Sequence, residues 1–465
     1  ATALFNFLFM EWIDNVIFIL LLGAGVFWFA RNAARIRANI NMGRQVDIND
    51  HLAERWKLML KVAIGQSKMV VRPVAGIMHI VVYLGFVIIN IEVLEIILDG
   101  ILGTHRIFAF MGSFYYFLIA SFEYLALAVI VACVVFLVRR NVMKLKRFMN
   151  RELDGWPRSD ANIILITEIL LMSAFLLMNA ADGVIMSYSK LTGGMLMPEF
   201  AEAANKIFGE DAAVGTGLYF PVSTYLTGFL PSNPIALHYI ERGCWWFHII
   251  GIIAFLNYIP YSKHFHILLA FPTVFYANLK PKGQFNNLES VTNEVKLMLD
   301  PSAPLPAADA PPAKFGAKDV PDLSWKQLMD AYSCTECGRC TSKCPANQTG
   351  KLLSPRKIMM DTRDRMEELG KGRLAQGTEF NDNKSLVGDY ITAEELWACT
   401  TCNACTEACP INIDPLSIIV DLRRYLVMEQ SAAPASLNGM FTNIENNGAP
   451  WQFSPADRLN WKNEN

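Results

Sequence analysis

CTECGRCTSKCP, residues 334–345, sets four cysteines in eleven positions and closes on a proline. CTTCNACTEACP, residues 399–410, begins sixty-five residues later and repeats the spacing, Cys-x2-Cys-x2-Cys-x3-Cys-Pro in both runs. Eight of the ten cysteines lie in these two runs. Three-residue steps are metal-site spacing, not the scattered placement of a disulfide scaffold. An aromatic precedes each first cysteine by two positions, Tyr332 and Trp397, which hints at internal pseudo-symmetry.

A four-iron cube needs four converging thiolates. One short loop can wrap three of them, and in two-cluster ferredoxins the last cysteine of each run serves the other cluster. This assigns Cys334, Cys337, Cys340 and Cys409 to one [4Fe-4S] centre, and Cys399, Cys402, Cys405 and Cys344 to a second. Structural zinc uses separated Cys-x2-Cys pairs, so it fits poorly here. The runs are farther apart than in a compact ferredoxin. LSPRKIMMDTRDRMEELG, with Ser354 as cap and Pro355 at the first helical position, predicts a helix in that insertion, and DPLSIIVDLRRYLVMEQ predicts another after the second run.

Working outward, the chain changes character. Hydrophobic residues make up 53% of 465, and mean hydropathy is +0.27, high for a wholly soluble protein. Five apolar stretches, 14–31, 73–98, 114–138, 161–187 and 243–271, suffice for a hydrocarbon layer of about 30 Å. The expected fold is therefore all-α, a five-helix transmembrane bundle followed by a helical dicluster ferredoxin domain. The expected boundaries are 1–272 for the membrane domain, 273–322 for an amphipathic segment and Pro/Ala-rich linker, and 323–465 for the cysteine-bearing domain. A formal charge of −2 gives no excess of basic residues for neutralising phosphates, so nucleic acid is not an expected partner. The N-terminus lacks a basic region before its apolar stretch, so no cleavable signal peptide is expected.

Basic residues alternate between the loops. Nine Lys/Arg fall in 31–72 and seven in 139–160, whereas 99–113 holds only Arg106 and 188–241 only Lys190 and Lys206. The positive-inside rule places the N-terminus outside and the cysteine runs in the cytoplasm, where thiolates stay reduced.

Intramembrane ionisable residues are functional candidates. His79 lies in the second span, and His248, His264 and His266 in the fifth. If the fifth span is one helix, His248 and His266, 18 residues apart, share a face about 27 Å apart in rise, with His264 off that face towards the headgroups. Depth then pairs His79 with His266 as axial ligands of a haem b near the cytoplasmic side. His248 lacks an evident mate on the second span, where Ile89, Asn90, Ile91, Glu92 and Glu95 lie at its depth, so a second haem has one candidate ligand. His105 and His238 are loop histidines. Glu92, Glu95, Glu123, Glu168 and Asp182 lie in or near spans as candidates for proton transfer or quinone binding. Cys133 and Cys244 read as small apolar helix residues.

GIMHIVVYLGF and WWFHIIGIIAFLNYIPYSKHFHILLAFP resemble the haem-binding helices of the nitrate reductase gamma subunit family, a five-helix dihaem quinol oxidase. His79, His248 and His266 match three of that family's four histidine positions, and the fourth falls on Ile89. WKQLMDAYSCTECGRCTSKCPAN through NNGAPWQFSPADRLNW resembles the iron-sulfur part of membrane-bound heterodisulfide-reductase-like proteins. The resemblances imply a bacterial or archaeal multi-pass protein of the cytoplasmic membrane, the electron-transfer subunit of a multi-subunit quinone oxidoreductase. It would exchange electrons between menaquinone or ubiquinone and a soluble cytoplasmic redox partner through haem b and two [4Fe-4S] clusters. In fused relatives a cysteine-rich domain with CC motifs follows. No CC pair occurs here, so a separate partner with such a domain or a flavin is expected. The alternative is a membrane anchor with structural clusters and no haem.

Overall fold

The computed structural model describes residues 2–193, 197–208, 220–300, 302 and 314–463, and side chains from residue 13 onward. Five helices are long and apolar enough to cross a membrane. They are α1 (Thr2–Ile40), α3 (Pro73–Leu102), α4 (Ser113–Leu137), α5 (Trp156–Leu191) and α7 (Pro234–Tyr258), with short α2 (Leu52–Met59) and α6 (Pro198–Phe208) between them. Local chemistry sets their ends. Pro73 and Pro234 open α3 and α7, where a missing N–H costs nothing, Asn233 Oδ1 accepts from the Ile235 N–H at 2.9 Å, and Gly103 closes α3 at φ +71°.

α3 packs on α4, α4 on α5, α5 on α7, and α1 against both α3 and α7. Phe18, Ile89, Tyr115, Ile119, Phe122, Ala126, Phe175, Trp245 and Ile249 fill the space between them. The outward faces carry exposed Leu20, Phe27, Trp28, Leu94, Phe117, Val131, Leu170 and Phe247. So much uncovered apolar surface suits a lipid solvent.

The fifth span is not one helix. α7 ends at Tyr258, two 3-10 turns follow (Ile259–Tyr261 and Lys263–Phe265), and α8 (His266–Phe275) begins at His266 itself. Pro260 cannot continue the helical ladder, and Asp160 on α5 fastens the break. Its carboxylate accepts from Tyr258 OH at 2.5 Å, Ser262 OH at 2.6 Å and the Lys263 N–H at 3.1 Å. The expected continuous helix over 243–271, with His248 and His266 related by whole turns, is therefore corrected.

Beyond α8, the expected surface helix is confined to α9 (Glu289–Leu299), which buries nothing. Most of the Pro/Ala-rich linker lies outside the described residues. The second unit contains α10 (Trp325–Ser333), α11 (Arg339–Lys343), α12 (Pro345–Gln348), α13 (Pro355–Gln376), α14 (Ala393–Trp397), α15 (Ala404–Ala408), α16 (Pro415–Met428) and α17 (Ala435–Asn447). α13 and α16 are the two helices read from the sequence. Ser354 caps α13, and Asp414 Oδ1 accepts from the Leu416 and Ser417 N–H groups at the start of α16.

The two units share a core. Ile36 and Ile40 at the end of α1, with Ile259 and Phe265 from the break, pack with Leu323, Leu328, Leu353, Ile358, Ile418 and Leu422. Asn39 donates to Tyr332 OH at 2.8 Å, and the Thr273 and Ser333 hydroxyls meet at 2.6 Å. Docking is thus through buried surface as well as through the chain connection.

Candidate metal centre

The two cysteine runs fold alike. The residue two positions after each first cysteine is left-handed, Glu336 at φ +55° and Thr401 at +54°, and so is the residue four positions after, Gly338 at +70° and Asn403 at +59°. These reversals turn the loop so that three thiols face one space, and each run then enters a one-turn helix, α11 or α15. The two helices pack together, which supplies the pseudo-symmetry hinted at by Tyr332 and Trp397. Gly338 is the strictest of the four positions. A Cβ there would stand 2.6 Å from Arg356 Nη1 and 3.3 Å from the Arg147 carbonyl.

One pocket is lined by Cys334, Cys337, Cys340 and Cys409, together with Thr335, Gly338, Arg339, Arg356, Met359, Pro410, Ile411, Ile413 and Pro415. Cys409, from the second run, lines this pocket with the first three cysteines of the first run. On the other side, the Cys399 thiol lies within electrostatic reach of Cys344 and Cys402, and Cys405 within reach of Cys399. The first four thus line one pocket, and the second four are near one another in pairs. Among the described residues, no three or more His, Cys, Asp or Glu side chains are placed to hold a metal ion. Four thiols set around a pocket suit a larger cube, and cysteine is the donor such a cube takes.

Burial pushes the Cys334 thiol up to about 11 and the Cys405 and Cys409 thiols up to about 12. Backbone donors are already aimed at sulfur, Thr401 N–H at Cys399 Sγ (3.4 Å) and Ile413 N–H at Cys409 Sγ (3.3 Å). They would support the charge of a ligating thiolate. Of the eight thiols, Cys402 alone belongs to an exposed residue.

The basic loops hold the first pocket against the membrane unit. Lys68 Nζ donates to the Cys409 carbonyl at 3.1 Å and to Asn412 Oδ1 at 2.7 Å. Arg339 Nη1 donates to the Lys68 carbonyl at 2.8 Å, and Arg72 Nη2 to Ser342 Oγ at 2.8 Å. Fully buried Arg356 reaches the Arg147 carbonyl and Glu152 Oε1, both at 2.7 Å. Sequence reasoning used these loops for topology only and missed their docking role. Their signal was charge density next to spans.

The histidines divide. His79 and His266 stand with ring centres 6.5 Å apart. His266 Nδ1 is bonded to the Lys263 carbonyl at 3.1 Å, and His79 Nδ1 is buried without a partner among the described residues. His264, expected to face the headgroups, instead lies 5.5 Å from His266 and 5.3 Å from Phe255, because the chain break rotates it inward. His248 is buried on α7 with Nδ1 on the Leu171 carbonyl at 3.0 Å and Phe175 as its ring neighbour. His105 and His238 do not join it. His105 bonds Asp182 at 3.2 Å, and both pack on Phe200.

At the bundle end opposite the cysteine domain, three of the five singled-out acids gather with Arg106. Arg106 Nε bonds Asp182, Nη1 donates to Tyr115 OH at 3.0 Å and Nη2 to Asn179 Oδ1 at 2.8 Å. Tyr115 OH donates to Glu95 at 2.6 Å, while Asn179 (3.1 Å) and the Val222 N–H (2.8 Å) donate to Glu123. Glu92 is buried nearby with Oε2 unpartnered, and Glu168 lies apart, near Cys133. Arg106, Tyr115 and Asn179 escaped sequence reasoning. Arg106 was visible only as the sole basic residue of its loop.

Residues 333–413 match the 4Fe-4S dicluster domain family. The chain is similar to the Probable iron-sulfur-binding oxidoreductase FadF of Bacillus subtilis, 26% identical over 97% of this chain and 61% of that protein. It is likewise similar to the EtfAB:quinone oxidoreductase of Syntrophomonas wolfei, 26% identical over 98% of this chain and 60% of that protein. A shorter stretch, 23% of this chain, is 36% identical to about half (52%) of one component of the Ferredoxin/F(420)H(2)-dependent CoB-CoM heterodisulfide reductase of Methanosarcina acetivorans. The chain thus spans about three fifths of the length of the two relatives it matches end to end. No solved structure matches. The chain joins a dicluster domain related to those of heterodisulfide reductases to a helical unit with five membrane-length helices.

Proposed function

We propose that this protein carries electrons between a quinone in the membrane and a soluble redox partner of the electron-transferring flavoprotein kind. Two [4Fe-4S] clusters would supply the one-electron relay, and a haem b its membrane end. The chain's own residues bind and orient these groups. Cys334, Cys337, Cys340 and Cys409 would hold one cluster, Cys344, Cys399, Cys402 and Cys405 the other, and His79 with His266 the haem, while His248 remains the candidate for a second haem. The observation that carries the reading is the meeting of Cys409 with the first run in one pocket, clasped by Lys68, Arg72 and Arg339 against the same end of the bundle as His79 and His266. The basic loops make that end cytoplasmic, and the exposed Cys402 face is where the partner docks. Menaquinone and ubiquinone both suit a pool-facing bundle. Boundaries at 272 and 322 separate the units in this reading.

A plainer second reading is a membrane anchor whose clusters are structural and whose histidines bind nothing. The comparisons favour it, because the relatives' names speak of iron-sulfur and quinone and never of haem. Optical and EPR spectra of the purified protein, before and after a quinol is added, separate the two. The first reading expects a haem b band and two quinol-reducible cluster signals, with the band lost in His79→Ala and His266→Ala. A colourless membrane unit, or clusters indifferent to quinol, establishes the anchor.

A further inference from the structure

The two cysteine loops share a backbone but not a charge. Thr401 in the second loop is neutral, whereas Glu336 in the first is a carboxylate only 4% exposed, set between Cys334 and Cys337. An ion at that depth persists only when paired. Each of its oxygens meets a cation, Oε1 accepting from Arg363 Nη2 at 2.7 Å and Oε2 from Lys263 Nζ. Arg363 belongs to α13 in the same unit. Lys263 belongs to the other unit, in the break between α7 and α8.

Lys263 is held from several sides. Its Nζ also donates to the Pro157 carbonyl at 2.6 Å, its N–H is fixed on Asp160, and its carbonyl accepts from His266 Nδ1 at 3.1 Å. One residue therefore grips the first cysteine loop with its side chain and orients an imidazole with its main chain. The second run is touched from outside only at its far end, among the described residues: Lys68 Nζ donates to the Glu407 and Cys409 carbonyls at 3.0 and 3.1 Å, and Lys282 pairs with the exposed Glu407. Arg423, beside Cys399, bonds the carbonyls of Leu396 and Cys399 and covers the Trp397 ring within its own unit.

We propose that Lys263 is a positioning residue that couples the His79/His266 pair to the first cysteine pocket alone, making that pocket the one that exchanges electrons with the membrane unit. The inference rests on the electron-transfer reading above. Its physical content is a charge balance. Glu336 beside the first pocket opposes the arrival of an electron there, and Lys263 offsets that opposition. In the second run the position of Glu336 is taken by neutral Thr401, so no such pair stands between its first two cysteines.

The test is a potentiometric titration of the full-length protein in detergent, with dithionite as electron donor and EPR to resolve the two centres. Each centre gains one electron and no bond changes. In Lys263→Met, one centre becomes harder to reduce by about tenfold in its equilibrium constant, about 59 mV for one electron, and the other does not move. Glu336→Gln shifts the same centre the opposite way, Lys263→Arg restores the original value, and the Lys263→Met/Glu336→Gln double variant returns close to it. Because Glu336→Gln is nearly isosteric, it carries the test even where Lys263→Met fails to assemble. Equal shifts of both centres, no shift of either, or a double variant that adds instead of cancelling overturns the proposal. Haem absorbance of the unmodified protein is scored separately. Its absence defeats the haem reading while a selective shift still upholds the link between Lys263 and the first pocket.

Discussion

Arg356 offers the sharpest test of how the cysteine domain is held on the bundle. Its guanidinium is 0% exposed and donates to the Arg147 carbonyl (2.7 Å), Glu152 Oε1 (2.7 Å) and, more weakly, the Glu336 carbonyl (3.4 Å). In Arg356→Met most of the volume remains and every one of those donors is lost. Breaking a buried ion pair by removing one partner costs about 3–5 kcal/mol, and each stranded buried acceptor about 1–3 kcal/mol. These terms overlap, since one guanidinium serves all three acceptors. Glu152 also keeps some relief, because Ser354 Oγ donates to it at 2.8 Å. A net loss of about 3 kcal/mol is therefore expected, roughly a hundredfold rise in local opening at about 1.4 kcal/mol per tenfold. Hydrogen exchange read by mass spectrometry should show faster exchange in peptides covering 144–153 and 334–343, with α4 and α5 unchanged inside the bundle. Arg356→Lys should fall between, because it keeps the charge and loses the fork. Unchanged exchange in both segments would refute the view that this guanidinium clasps the two units.

Cys409→Ser should abolish the centre made with the first run and spare the other, so iron per chain falls by about half, as read by metal analysis and Mössbauer spectroscopy. Cys344→Ser should remove the other centre. Loss of the centre belonging to each cysteine's own run would refute the crossed assignment. Gly338→Ala places a β-carbon at φ +70° against Arg356 and should cost about 1–3 kcal/mol, seen as a lower melting temperature and preferential loss of the first centre. Pro260→Ala should leave the break in place, because Asp160 still accepts from Tyr258, Ser262 and Lys263. Asp160→Ala should disturb it, read as altered protease susceptibility near residue 260.

The cysteine arithmetic and the apolar runs were legible because both are local. A three-residue step sets which thiols share a loop, and a run of about 20 apolar residues declares a span whatever surrounds it. Helices α13 and α16 were legible for the same reason, since Ser354-Pro355 and Asp414-Pro415 are self-contained start signals. The fifth span was misread because Pro260 marked a distortion whose size depends on Asp160, about a hundred positions away in sequence. His264 was misplaced as a direct consequence. The Arg106 network stayed hidden because its partners come from α3, α4, α5 and the 222–223 segment, with no spacing rule joining them.

Sequence alone thus determined the five membrane-length helices, the helical dicluster region that follows them and the paired cysteine runs within it. All of these follow from chemistry and periodicity within a few turns of chain. Only the tertiary structure decided that the first pocket sits on the bundle, that basic loops serve as its clasp, and that Lys263 touches both Glu336 and His266. Those facts depend on which distant surfaces exclude water from one another. A buried charge accepts only the partner that the fold delivers.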